Sequence, residues 1–144
     1  MSKSWYKAFA KNPKEFAKTK LQILEGSLPK DLNGTLYRNG PALFERNNQR
    51  VTHGFDGDGA ILALQFLEGK AYATYRYVHT KYYLEEEKAN KFLYAGFGNL
   101  APGPFWKRLF QEIKNPANTS VLPLPNKLLA LYEGGGPHSL DPAT

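Results

Sequence analysis

Residues 60–79 constrain the backbone more than any other part of the chain. An apolar run from Ala60 to Leu67, interrupted only at Gln65, leads into Glu68-Gly69-Lys70; from Ala71 to Val78, Ala71, Ala73, Tyr75 and Tyr77 then alternate with Tyr72, Thr74, Arg76 and Val78. Period-two alternation on the far side of a glycine turn predicts a β-hairpin. A second hairpin is expected around Leu124-Pro125-Asn126-Lys127, pairing Ser120-Val121-Leu122 with Leu128 to Tyr132, and Pro123 puts its first strand at an edge or a bulge. Between the two, Pro104 to Lys114 predicts a helix: proline stands in the first turn, Pro116 beyond the end, and Phe105, Trp106, Leu109, Phe110 and Ile113 on one face. From Leu21 to Asn48, Pro29, Gly34, Asn39-Gly40-Pro41 and Asn47-Asn48 punctuate short apolar segments. The fold class is therefore mainly β, a sheet array with an inserted helix.

With 144 residues, 42% of them hydrophobic, the chain can bury a core. It lacks any apolar run near the ~20 residues that span a bilayer, and Met1 to Trp5 lacks the apolar stretch of a secretory signal. A cytoplasmic location, soluble or peripheral on membranes, is the expectation. Zero cysteines exclude disulfides, thiolate metal sites and cysteine nucleophiles. The net charge of +6 sits almost wholly in residues 1–20, where six lysines face the single Glu15. That segment is expected to be a basic helical arm, broken at Asn12-Pro13, and residues 21–144 a nearly neutral body. Nucleic-acid binding is not expected from charge so placed.

Several motifs invite chemistry and give it weak support. Phe55-Asp56-Gly57-Asp58-Gly59 fails as a calcium loop, because Ala60, Ile61 and Leu67 occupy positions that should hold ligands or turn glycine; it reads as a tight turn feeding the next strand. The glycines at 57, 59 and 134–136 lack the remaining residues of phosphate-binding loops. His53, His79 and His138 show no short ligand spacing. Glu133 ends an apolar strand before three glycines, a position expected to be partly buried, where a carboxylate takes a salt bridge, accepts backbone amides, or orients an imidazole.

Two longer signatures carry a resemblance. Leu28 to Pro41, continued by His53 to Gly59, and Asn118-Thr119-Ser120, continued by Leu128 to Gly135 and Leu140 to Thr144, are similar to the opening of the carotenoid cleavage oxygenases. The likeness runs from about Trp5 onward and includes Tyr83 to Glu87. It implies the first blade or two of a seven-bladed β-propeller, with N-terminal and inserted helices, and an N-terminal part cut inside the second signature at Thr144. It also implies a non-haem dioxygenase that uses O2 to cleave a conjugated C=C bond of a lipophilic carotenoid or apocarotenoid to aldehydes. Its Fe(II) would be held by four histidines beyond this chain, leaving the fragment alone inactive.

By the same resemblance Glu133 corresponds to a glutamate that accepts a hydrogen bond from an iron-ligating histidine. Thr119 corresponds to a threonine beside the vacant iron position, and Tyr132 to an aromatic near the substrate tunnel. Phe105, Trp106, Leu109 and Phe110, with Lys107 and Arg108, fit a membrane-facing helix; packing on the propeller rim is the alternative. A stilbene-cleaving branch of the family and a non-catalytic, lipid-associated binding module are the other readings of the chain.

Overall fold

The computed structural model describes residues 11–98, 100–104, 106 and 112–142. In chain order these form β1 (Phe16–Lys20), β2 (Gly34–Leu43), β3 (Glu45–Arg46), β4 (Gln49–Arg50), a 3-10 turn (Gly54–Asp56), β5 (Asp58–Leu67), β6 (Lys70–Tyr77), α1 (Lys81–Ala89), β7 (Ser120–Leu124), β8 (Lys127–Leu131) and β9 (His138–Leu140). Two antiparallel sheets dominate, one ordered β1-β6-β5-β2 and the other β7-β8-β9, beside the short β3-β4 ribbon. The mainly β expectation holds.

Both expected hairpins form. Glu68 and Gly69 join β5 to β6 with φ of 50° and 72°, so both central residues are left-handed, the combination whose twist matches the flanking strands. Asn47 and Asn48 do the same for β3 and β4. Proline lies at the sheet margins, as its missing N–H requires: Pro41 on β2 and Pro123 on β7, each an outermost strand.

The basic arm departs from expectation. Its last five residues are β1, a strand paired antiparallel with β6, and not helix. The free edge of β6 offers hydrogen bonds that a short isolated helix could not match. Phe16 stacks over Tyr75, Lys18 sits 5.0 Å from the ring of Tyr72, and Glu15 accepts the Tyr77 N–H at 2.8 Å. Asn12, at the expected break, accepts the N–H groups of Phe44 and Glu45 and donates to the Glu45 carbonyl. Residues 1–10 lie outside the described residues.

The expected helix over Pro104–Lys114 also lies largely outside them; Trp106 is exposed, and at the far end Ile113 forms a parallel bridge with Ala95 and Lys114 N–H donates to Ala95, so the chain is extended there. A helix that the periodicity did not announce is α1, capped by Thr80, whose hydroxyl accepts the Tyr83 N–H at 3.0 Å, and closed by Asn90 in the left-handed conformation.

The core joins the sheets. Ile61 of β5 and Val78 just after β6 meet Ala117, ahead of β7, and Leu128 and Ala130 of β8, with Tyr37, Val121 and Leu140 packed around them. Polar ties cross the same seam: the Asn39 amide donates to the carbonyls of Ala117 and Ser120, and Gly59 N–H to Pro116.

Candidate functional site

The His53–Gly59 turn is built by small residues and short polar side chains working in opposite directions. His53 Nδ1 accepts the Phe55 N–H at 3.2 Å and caps the 3-10 turn, while its ring packs against Phe55 and Phe97. Asp56, 5% exposed, points inward and accepts the N–H groups of Phe97 at 2.5 Å and Gly98 at 2.9 Å. The close approach needs glycine at 96, where a Cβ would come to 2.4 Å from Asp56 Oδ1. From the other side the buried Asn118 amide donates to the carbonyls of Phe55 and Gly57, both at 2.7 Å. His53 thus serves the turn.

Asn118 leads directly to Thr119. Thr119 donates through its N–H at 3.1 Å and its hydroxyl at 2.8 Å to one acceptor, the carbonyl of Leu131, so it sits at the end of the β7-β8 hairpin beside Tyr132 and Glu133. Three residues spread over fifteen positions are thereby gathered at one end of one hairpin. The segment before Thr119 is held under tension, since Ala117 adopts φ 48° with its side chain fully buried. Non-glycine residues pay roughly 1–3 kcal/mol for such conformations. The following turn is tight: a Cβ at Gly134 would lie 2.8 Å from the Tyr132 ring, and one at Gly135 2.6 Å from Asn115 Nδ2. Tyr132 is half-buried, and burial, then Asp56 and Glu133, push its hydroxyl above the usual tyrosine range.

Glu133 differs from expectation in one respect: it is exposed, not partly buried. β8 ends at Leu131 and Glu133 lies in the turn that follows, where no described residue bonds to its carboxylate. His53, His79 and His138 do not converge, and among the described residues no group of three or more His, Cys, Asp or Glu side chains could hold a metal ion. An open groove of about 810 Å³, lined by Glu15, Tyr37, Ile61, Tyr77, His79 and Leu140 among others, includes none of Thr119, Tyr132 or Glu133.

A buried charge cluster escaped the sequence reading. Lys114 Nζ lies 2.6 Å from Glu86 Oε2 and 2.7 Å from Asp58 Oδ1; Arg46 lies 3.5 Å from Asp58, pairs with Glu87, and stacks over Tyr83. Asp58 and Glu86 are fully buried, and desolvation holds the Asp58 carboxyl above the ordinary carboxylate range despite Lys114. Glu86 Oε1 also accepts the N–H groups of Leu93 and Tyr94. One signal was available: on a helix, Glu86 falls on the same face as Tyr82 and Tyr83, four and three residues earlier.

The chain matches the retinal pigment epithelial membrane protein family over residues 9–144. It is 42% identical over 142 residues to apocarotenoid-15,15'-oxygenase from Synechocystis sp., covering 96% of this chain and 29% of that protein. Resveratrol cleavage oxygenase 1 from Chaetomium globosum is 33% identical, over 83% of this chain and 20% of that protein. Among solved structures, cobalt-substituted Synechocystis apocarotenoid oxygenase superposes with a TM-score of 0.86 at 39% identity, over 96% of this chain and 29% of that one. The chain thus spans under a third of the length of these relatives and takes the fold of their matching part. It belongs to the retinal pigment epithelial membrane protein family, that of the carotenoid cleavage oxygenases.

Proposed function

We propose that this chain contributes the N-terminal part of an Fe(II) dioxygenase that cleaves a conjugated C=C bond of an apocarotenoid with O2 to give aldehydes. One observation carries the reading most directly. Solved variants of the Synechocystis oxygenase replace a threonine, a tryptophan thirteen residues later and a glutamate next to it. Thr119, Tyr132 and Glu133 have that spacing, and the β7-β8 hairpin brings them together. Tyrosine in place of tryptophan keeps an aromatic ring and adds a hydroxyl.

In this reading the metal is held by histidines outside the chain, which supplies no ligand group among its described residues. Bound iron would supply O2 activation. The exposed Glu133 carboxylate is free to accept a hydrogen bond from an imidazole, fixing its orientation and raising its basicity. Thr119, its hydroxyl committed to Leu131, is left to present its methyl group, a steric and not a polar boundary. Membrane contact near the 92–113 segment is supported by the exposure of Phe97, Leu100 and Trp106 at 73%, 78% and 69%; Phe105, Leu109 and Phe110 lie outside the described residues. Alanine at Trp106 and Phe110 would then lower liposome binding, and unchanged binding would remove this part of the proposal.

The test is a chimera in which this chain replaces the matching segment of the Synechocystis oxygenase. Aldehyde formation from an apocarotenal is expected, falling about 10- to 100-fold with Glu133→Ala. A folded, iron-loaded chimera without activity would overturn the reading in favour of a non-catalytic, lipid-associated module. Cleavage of resveratrol in preference to the apocarotenal would move it to the stilbene-cleaving branch, which the Chaetomium relative makes the second reading.

A further inference from the structure

Asp56 and Asn118 act on one short turn from opposite sides, and what lies behind each is different. Asp56 holds the backbone of Phe97 and Gly98, the end of the loop that presents exposed aromatic surface. Asn118 holds the carbonyls of Phe55 and Gly57 and is the immediate neighbour of Thr119. Neither side chain reaches the surface, at 5% and 2% exposure.

The contacts leave little slack. A Cβ at Gly96 or Gly98 would lie within 2.5 Å of Asp56 Oδ1 or of His53 Cβ, and one at Gly57 would lie 2.8 Å from the Phe44 ring. At Gly59 it would meet the Ala117 carbonyl at 2.2 Å. Glu86 anchors the other end of the same loop through Leu93 and Tyr94. The loop is therefore held at both ends by buried carboxylates, and the glycines that face Asp56 and His53 leave no room for a Cβ.

We infer that Asp56 and Asn118 are positioning residues that hold the aromatic 93–98 loop and Thr119 in one fixed relation through the His53–Gly59 turn. The inference rests on the proposed oxygenase reading for what the two ends do, and adds to it that the exposed Phe97 loop is where an apolar polyene first makes contact, while Thr119 borders the reacting position. Loss of Asp56 then frees the loop and weakens substrate capture, whereas loss of Asn118 shifts the strand that carries Thr119 and slows turnover. A merely structural role would give both variants the same fall in stability and no such division.

The chimera described above separates the possibilities. Asp56→Ala is expected to raise KM for an apocarotenal about tenfold with kcat within twofold of the parent, and Asp56→Asn, which keeps one acceptor oxygen, to recover part of that loss. Asn118→Ala is expected to lower kcat about tenfold with KM little changed. Amide exchange followed by mass spectrometry supplies a readout that needs no activity: Asp56→Ala should speed exchange in the 93–98 peptide at least tenfold and leave the 60–77 hairpin unchanged. Affinity for all-trans-retinol, a polyene that cannot form a Schiff base with lysine, should fall in Asp56→Ala and hold in Asn118→Ala. Equal kinetic losses in the two alanine variants, or exchange accelerated throughout the chain, would overturn the inference. If the parent chimera proves inactive, the oxygenase reading fails alone, and the positioning role stands or falls on the exchange and retinol measurements.

Discussion

Gly59 faces the carbonyl of Ala117 so closely that a Cβ on it would stand 2.2 Å from that oxygen, and 2.9 Å from the carbonyl oxygen of Pro116. Both are backbone atoms, so nothing flexible can move aside. Gly59→Ala is expected to cost about 3 kcal/mol, the upper range for overpacking a dense interior. Gly40, with nothing within 4 Å of its virtual Cβ and no left-handed φ, provides the control: alanine there should stay within about 0.5 kcal/mol of the parent. Urea midpoints for the two variants check the contrast, and equal shifts would mean that the seam between the sheets yields.

Lys114 balances two buried carboxylates at once. Replacing it with methionine preserves much of its volume and leaves Asp58 and Glu86 short of a cation, so a loss of about 3–5 kcal/mol is expected. Adding Asp58→Asn removes one of the stranded charges and should restore part of that loss. A double-mutant cycle in urea measures the coupling; strictly additive losses would show that the two groups do not interact.

Burial raises the Asp58 carboxyl in the folded state. A folded-state pKa above the unfolded one means that the native chain binds the proton more tightly, so this group's contribution is full below about pH 4. It is lost as pH rises through the raised value. The stability gap between the parent and Asp58→Asn should therefore change across that window and become flat above it. Denaturant titrations at steps from pH 4 to 8 would show this, and a gap independent of pH would contradict the assignment.

Glu68 holds φ of 50° in the β5-β6 turn, a conformation costly for glutamate and accepted by asparagine. Its side chain makes no hydrogen bond among the described residues, while its N–H donates to Asn33 Oδ1 and would be kept. Glu68→Asn creates an Asn-Gly turn and should stabilise the chain by about 1 kcal/mol. A thermal midpoint that fails to rise would indicate strain already relieved elsewhere.

How far the sequence carried differs from element to element. The Ala60–Val78 hairpin was legible because alternation and a two-residue turn are local properties, readable without knowing any partner. β1 was misread for the opposite reason. Phe16-Ala17-Lys18-Thr19-Lys20 has no decisive pattern of its own, and the unpaired edge of β6, more than fifty residues away, settles its conformation. Glu133 stood out by its place before three glycines, but its exposure, against the partial burial expected, depends on where β8 stops. The cluster of Arg46, Asp58, Glu86 and Lys114 was not legible as a cluster, since its members come from four separate segments and no local pattern links them.

By itself the sequence determined the mainly β class, both hairpins, the lack of cysteine in this chain and, through its two signatures, the family. Tertiary structure alone decided that Asn118 grips the His53–Gly59 turn, that Asp56 holds the 93–98 loop, and that Thr119 lies beside Tyr132 and Glu133. Strand pairing and turns are written in neighbouring residues, whereas a buried hydrogen bond or ion pair is specified by whichever distant group the packed chain brings into the same desolvated space.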